Sequence, residues 1–389
     1  MEKFRKRLLQ RNFNVSPLTT KNRIFSYNFL DYPLMNTKNI SSAALIISLI
    51  GIHSCRKAEN PSGSSGTPEE VQKAIIYQLA DNVIFATYQD MDSGAVALET
   101  HVNAFIQNGG EEELKACRES WLAIRGAWEK SEGFLFGPVA TQNVDPRIDT
   151  WPVNFQSLDS VLTHNSTFDN AYIESLEDAL RGFHPIEYLI FGQNGEKKAA
   201  DFTQRQKDYL LALSHNLRGL CDLVVNEWHG GYYKEFTQPG SGSVYANQRE
   251  VYEEIVQAII GICDEVANGK ILEPFSANDP SLEESPFSQN SMTDFTNNIR
   301  SVANIYYGAY SKNGKGLEDF VRLYNLSLHG KISMEIEAAI KSLENISLPF
   351  GQAITAEATK LQSAMDAINA LKETLENELL PLVQLHSAE

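Results

Sequence analysis

Cysteine is scarce in this chain, with four residues among 389. They show neither a Cys-x-x-Cys pair nor a zinc-finger spacing, which argues against a disulfide-rich fold and against a domain stabilised by structural zinc. Cys117, Cys221 and Cys263 each lie in an apolar, helical context. One disulfide with a free thiol is one option for these three, and three small buried apolar side chains is the favoured one.

Basic residues are also in short supply, with 33 Lys and Arg against 50 Asp and Glu and a net charge of −17. A protein that binds a phosphate backbone needs the opposite sign of charge. We therefore expect no nucleic-acid partner, and the acidic surface favours cationic ligands, metal ions included.

Long hydrophobic runs are missing apart from about a dozen apolar residues before Cys55, too few to span a bilayer and typical of a signal-peptide core. The run ends in Ile52-His53-Ser54-Cys55, which resembles a bacterial lipobox with Cys55 as the lipidated first residue. Residues 1–54 are predicted to be a leader and lipoprotein signal peptide, with Met35 as a candidate true start. The alternative is a buried apolar helix followed by a loop.

Residues 55–68 are rich in Gly, Ser and Pro, a composition typical of a flexible tether. Together with the lipobox, the tether predicts an outer-membrane lipoprotein of the bacterial cell envelope, facing the periplasm or the cell surface. Membrane contact is expected through the lipid anchor alone.

Helical spacing dominates the rest of the chain, and we predict an all-α fold. Thr67-Pro68-Glu69-Glu70 reads as a capping box that starts the first helix. A break from Gly230-Gly231 through Gly242 is predicted to separate two packed helical bundles of about four helices each, over 69–235 and 236–389, with the boundary near 230–246. An aromatic, loop-rich insert is expected over 133–170, and long ordered loops are often functional.

Catalytic motifs are mostly missing, since the chain has no HExxH, GxSxG, phosphate-binding loop or GxGxxG after a strand. One pair has helical ligand spacing, His184 and Glu187. If Pro185 opens a helix, His184 is its N-cap and Glu187 its third residue, so both side chains could converge on one metal ion. The same spacing also describes a capping box without any metal.

Gly182-Phe183-His184-Pro185-Ile186-Glu187 matches the GxHxxE signature of the imelysin family, and the chain resembles that family over about 69–389. Further blocks match in order: Trp128-Glu129-Lys130-Ser131-Glu132, Phe136-Gly137-Pro138-Val139, Ile148-Asp149-Thr150-Trp151-Pro152, Glu284-Ser285-Pro286-Phe287-Ser288, Asp294, Asn297-Asn298-Ile299-Arg300 and Tyr306-Tyr307-Gly308. The resemblance implies two helical bundles with a site at their interface, in an extracytoplasmic, iron-linked family.

The resemblance also implies a metal site in which His184 and Glu187 act with two upstream carboxylates, Glu132 and Asp149. Such a set suits iron, manganese or calcium, and is less typical of structural zinc, although zinc stays among the candidates. No organic cofactor is expected. The alternatives are an exposed helix-end carboxylate for Glu132 and a turn cap for Asp149.

Five further side chains are predicted to line the pocket at the bundle interface: Trp151, Tyr188, Ser288, Asp294 and Asn298. Asp294 and Asn298 lie one turn apart on one helix, so they either line the pocket or tie the two bundles together.

Three functions stay open at this stage. The favoured one is a lipid-anchored metal-binding protein, linked to iron uptake and to envelope uptake proteins. The second is a metallopeptidase that uses Glu187, although Tyr188 stands where an inverted zinc motif needs a second His. The third is a metal-free scaffold of the cell envelope, or a polymer-binding module in which aromatic side chains hold the ligand.

Overall fold

Helices make up the regular structure of residues 67–389, the part of the chain that the computed structural model describes, and no strand occurs among them. The all-α prediction is confirmed. The predictions for 1–54, Met35, Cys55 and most of the tether fall outside the described residues. The α-helices are α1 (Pro68–Leu79), α2 (Ala86–Asn108), α3 (Glu111–Glu129), α4 (Pro138–Thr141), α5 (Val144–Ile148), α6 (Phe155–Thr163), α7 (Asn170–Ser175), α8 (Phe183–Phe191), α9 (Gln204–Glu227), α10 (Tyr233–Thr237), α11 (Gln248–Asp264), α12 (Leu272–Ala277), α13 (Ser291–Tyr307), α14 (Leu317–Tyr324), α15 (Leu326–Glu344), α16 (Phe350–Ala356), α17 (Ala358–Thr374) and α18 (Leu380–His386).

The first helix begins where the capping box predicts. Thr67 Oγ accepts a hydrogen bond from the Glu70 amide, and the Glu70 carboxylate accepts one from the Thr67 amide. These reciprocal bonds satisfy amides that have no partner inside the helix.

Four π-helical segments extend or join the α-helices: Ala80–Phe85, Trp228–Tyr232, Glu265–Ile271 and Leu375–Leu379. The predicted break from Gly230-Gly231 through Gly242 begins later than expected, because both glycines lie inside the second segment and the helix runs on to Thr237. Residues 238–247 then form a non-helical connection to α11. Trp228 and Phe236, both fully buried with ring centroids 5.6 Å apart, anchor the two sides of the glycine pair in the core.

The described residues belong to one compact unit. Early helices pack together, α2 against α3 and α9, and late helices do the same, α13 against α15 and α15 against α17. Helix α3 packs on α13 and so joins the two sets. Helix α1 lies with the late helices, since Gln72 Nε2 donates to Tyr324 Oη at 3.1 Å. The division at 235/236 stays a prediction.

The core contains the apolar stripe of α3, in which Trp121, Ile124 and Trp128 are fully buried. Cys117, Cys221 and Cys263 are free and buried, as favoured from sequence. The insert over 133–170 contains the short helices α4, α5 and α6, so part of it is helical. Among residues 67–389, no helix combines the length and the apolar character needed to cross a bilayer.

A candidate metal centre between the early and late helices

A fully buried arginine on α3 is at the centre of the candidate site. Arg125 Nη2 lies 2.6 Å from Glu129 Oε1, one turn along the same helix, and 2.9 Å from Glu284 Oε1. Its Nη1 donates to Asp149, and its Nε lies 3.8 Å from Asp294 Oδ2. Glu129 and Asp149 come from the early part of the chain and Glu284 and Asp294 from the late part, so the arginine links both.

A buried lysine adds the second permanent positive charge. Lys270, in the π-helical segment Glu265–Ile271, places Nζ 2.9 Å from Glu132 Oε2, 2.9 Å from Glu284 Oε1 and 3.5 Å from Glu129 Oε2. It also donates to Asn298 Oδ1 at 3.2 Å. Glu132 therefore does not lie exposed at a helix end, the alternative that its position in the sequence allowed.

Asp149 is held from three sides. It follows α5, and its Oδ2 accepts a hydrogen bond from Trp128 Nε1 at 2.7 Å, while Oδ1 contacts Arg125. The Nε2 of His184 lies 3.0 Å from Asp149 Oδ1. Asp149 is thus a buried ionic group with partners on both oxygens, and not a surface turn cap.

The glycine of the GxHxxE motif has a steric role. Gly182 has φ +80°, and a Cβ at this position would lie 2.2 Å from the carbonyl oxygen of Ile148. Only glycine fits both the left-handed backbone and the close approach. This contact brings the start of α8 against the end of α5, which places His184 beside Asp149.

The N-cap prediction for His184 is wrong. Helix α8 begins at Phe183 with Gly182 as its N-cap, because the positive φ of Gly182 allows the helix to start two residues before Pro185. His184 Nδ1 instead lies 3.4 Å from Glu187 Oε2. Glu187 Oε1 accepts hydrogen bonds from the amide and hydroxyl of Ser288, at 2.7 and 2.6 Å. Glu187 therefore ties α8 to the late part of the chain.

Burial and charge shift the carboxyl groups in opposite directions. Burial raises the pKa of Glu129 and Glu132 well above the usual value for glutamate, and the positive charge of Lys270 only partly opposes this. Burial likewise raises the pKa of Asp294 to about 7, against the effect of Arg125. Asp149 differs, because Arg125 and His184 outweigh its burial and hold its pKa below the usual range.

His184 has a raised pKa. Burial alone would lower it, but hydrogen bonds to Asp149 and Glu187 favour the charged imidazolium more strongly. The two carboxylates thus favour the protonated form of the imidazole.

Four carboxylates form a group with the geometry of a cation site, which we call the carboxylate cluster: Glu129, Glu132, Asp149 and Glu284. Each is buried and offers one oxygen, and these oxygens all lie within 4.8 Å of one another. Among residues 67–389, Glu284 Oε2 has no hydrogen-bond partner, while Oε1 contacts Arg125 and Lys270. A buried oxygen normally finds such a partner, so the unpartnered Oε2 is a donor atom available to a metal ion. An all-oxygen donor set suits a hard cation such as iron, manganese or calcium.

The predicted ligand set overlaps this cluster in part. Glu132 and Asp149 belong to it, whereas His184 and Glu187 lie next to it and reach it through Asp149. The predicted set did not include Glu129 and Glu284, the other two members of the cluster. The available signal was Arg125, a charged residue beside the apolar stripe of α3 with an acidic residue four positions later.

A cavity of about 80 Å³ lies beside the cluster, and Trp151, His184, Glu283 and Glu284 are part of its wall. Trp151 thus lines this cavity. The other predicted lining residues lie near it in different roles. Tyr188 packs on rings from the cavity wall, Ser288 binds Glu187, and Asp294 and Asn298 belong to the ionic network.

Comparisons with known proteins agree with this architecture. The family model for imelysin matches residues 84–377. Iron-regulated protein A of Synechococcus elongatus is 28% identical over 333 residues, which cover 83% of this chain and 90% of that protein. A crystal structure of an iron-regulated protein A precursor from Parabacteroides distasonis superposes with a TM-score of 0.74 at 25% identity, over 84% of this chain and 97% of that one.

A crystal structure of an imelysin-like protein from Psychrobacter arcticum shares the fold at 15% identity, with a TM-score of 0.66 over 81% of this chain and 96% of that one. The family match spans most of the residues that the structure describes and includes every member of the carboxylate cluster. This chain therefore belongs to the imelysin family.

Proposed function

We propose that this protein is an extracytoplasmic, lipid-anchored metal-binding protein that takes up iron, or a similarly hard cation, in the carboxylate cluster and contributes to iron uptake. The observation that carries the proposal is the group of four buried carboxylate oxygens within 4.8 Å of one another, with Glu284 Oε2 lacking a hydrogen-bond partner among the described residues. The relative named iron-regulated protein A supports iron as the cation.

The charge balance of the site also favours a cation. Six buried carboxylates, from Glu129, Glu132, Asp149, Glu187, Glu284 and Asp294, surround two permanent cations and one histidine. Burial opposes so much negative charge, and it raises the pKa of Glu129, Glu132 and Asp294. A bound metal ion would offset that charge.

The surrounding residues would orient the ligands. Trp128 and His184 each hold one oxygen of Asp149, and Arg125 contacts Glu129, Asp149 and Glu284. Such partners fix the direction of a metal-binding carboxylate, and their loss typically lowers metal affinity about 10- to 100-fold.

The geometry favours binding over peptide hydrolysis. A metallopeptidase needs a general base beside a metal-bound water. Glu187, the predicted base, has one oxygen bound to Ser288 and the other beside His184, and Tyr188 packs against aromatic rings. Neither residue is presented to a substrate in this arrangement.

The anchor forms a separate part of the proposal. Cys55 would carry the lipid and residues 55–68 would act as the tether, which keeps the metal site within the bacterial cell envelope near uptake proteins. Mass spectrometry of the protein isolated from membranes tests this directly. A lipid-modified Cys55 peptide, absent in Cys55→Ser, is expected, and an unmodified Cys55 in the membrane fraction would contradict it.

Metal binding is tested by elemental analysis and calorimetric titration of the purified protein with Fe²⁺, Mn²⁺, Ca²⁺ and Zn²⁺. The test variant is Glu129→Gln/Glu284→Gln. The matched control is Glu119→Gln/Glu337→Gln, which removes two glutamates that form exposed ion pairs on helix surfaces.

We expect one equivalent of metal in the wild type and in the surface control, and none in the cluster variant. At 100 times the Kd, bound metal should add about 2.7 kcal/mol to the free energy of unfolding. Binding that survives in the cluster variant would place the metal elsewhere. If no protein binds metal, the metal-free scaffold becomes the better account.

A further inference from the structure

Lys270 lies among the oxygens that would hold the metal. Its Nζ contacts three members of the carboxylate cluster, Glu132, Glu284 and Glu129, at 2.9, 2.9 and 3.5 Å. A hard cation bound by these oxygens would need ligand distances of about 2.0–2.6 Å. The ammonium group and the metal ion would therefore occupy the same small, buried space.

The two cations cannot share that space at low cost. Lys270 is nearly fully buried, at 4% exposure, so water does not screen its charge. Two positive charges in contact inside a protein repel strongly, whereas either of them alone is stabilised by the carboxylates.

We propose that Lys270 is a tethered cation that fills the carboxylate cluster until metal binds, so that metal uptake is an exchange of one cation for the other. This inference rests on the proposed function, since it describes how the same site is controlled. Lys270 stabilises the cluster when metal is scarce. It also raises the metal concentration needed for binding, because an incoming ion must displace an ammonium group held by three carboxylates.

Trp151 provides a second position for the displaced ammonium group of Lys270. Lys270 Nζ lies 5.6 Å from the ring centre of Trp151, which lines the cavity of about 80 Å³ beside the cluster. The face of a tryptophan ring attracts a cation at such distances. Movement toward Trp151 would take the ammonium group away from the carboxylates while keeping a favourable contact.

The backbone position of Lys270 fits a side chain that moves when metal binds. It lies in the π-helical segment Glu265–Ile271, near the junction with α12. Insertions of this kind in helices are found frequently at functional sites.

The test compares Mn²⁺ affinity by calorimetry in the wild type, Lys270→Met and Lys270→Arg. Methionine keeps the length of the side chain without its charge, and arginine keeps the charge. Because a like charge in contact costs several kcal/mol, we expect Lys270→Met to bind Mn²⁺ about 10-fold or more tightly than the wild type. Lys270→Arg should bind no more tightly than the wild type.

Equal or weaker Mn²⁺ binding by folded Lys270→Met would overturn the exchange, while metal binding by the wild type would leave the proposed function intact. If none of the three proteins binds any of the four metals, the proposed function itself fails.

A second measurement decides the question if Lys270→Met does not fold. A crystal structure of the wild type with Mn²⁺ in the cluster should show Nζ outside hydrogen-bond reach of Glu132 and Glu284. Mn²⁺ in the cluster with both Lys270 contacts retained would overturn the inference.

Discussion

The metal-free protein should lose stability as the pH rises from 5 to 7. Burial raises the pKa of Asp294 from 3.8 to about 7, so the folded protein holds this proton throughout most of that range. The unfolded chain, with an ordinary aspartate pKa, has already released it. Unfolding therefore releases a proton, and the free energy of unfolding falls as the pH rises.

The size of this loss of stability follows from the shift in the pKa of Asp294. One proton held only by the folded state changes the free energy of unfolding by about 1.4 kcal/mol per pH unit. Over the two units below pH 7, Asp294 alone accounts for about 2–3 kcal/mol. Glu283, whose pKa burial also raises to about 7, acts in the same direction. The raised pKa of His184 adds to the loss at rising pH, and the lowered pKa of Asp149 matters only at more acidic pH.

Urea denaturation in the presence of a chelator, at pH 5, 6 and 7, measures this slope. Asp294→Asn is the matched variant, because asparagine keeps the shape of the side chain and cannot titrate. Its slope should be shallower than that of the wild type by about 1.4 kcal/mol per pH unit. Equal slopes for the two proteins, or a wild-type stability that rises from pH 5 to 7, would refute the reasoning.

Two further substitutions test the geometry around the cluster. Gly182→Ala forces a left-handed backbone and a Cβ clash with Ile148, so it should lower the free energy of unfolding by about 1–3 kcal/mol in urea denaturation. The control, Gly219→Ala in α9, meets nothing within 4 Å and should be neutral or stabilising, and equal losses in both variants would contradict the steric argument. His184→Ala removes one of the two partners of Asp149 Oδ1 and should lower metal affinity about 10-fold or more in a calorimetric titration. An unchanged binding isotherm would contradict that role.

Local sequence patterns predicted helix starts and buried helix faces, because these depend on residues that are close together in the sequence. The capping box at Thr67 and the tryptophan stripe of α3 locate helices correctly, because capping and amphipathic spacing act within a few residues. The break expected from Gly230-Gly231 onward begins only after Thr237. Glycine weakens a helix by only about 1 kcal/mol, and the burial of Trp228 and Phe236 on either side outweighs that cost.

The site was harder to predict, because its members are brought together by tertiary packing. Glu129 and Glu284 read as ordinary glutamates in the sequence, and only the folded chain places both against Arg125. Lys270 gave no signal either, since one lysine in an acidic chain normally lies in solvent. The GxHxxE motif pointed to α8, and the structure places its histidine 3.0 Å from a carboxylate oxygen of Asp149.

The position of the metal tests the account most directly. Anomalous diffraction from crystals grown with Mn²⁺ would locate the ion independently of any substitution. We predict one peak within the carboxylate cluster, at bonding distance from oxygens of Glu129, Glu132, Asp149 and Glu284. A peak between His184 and Glu187 instead, or an empty cluster at saturating Mn²⁺, would contradict the account.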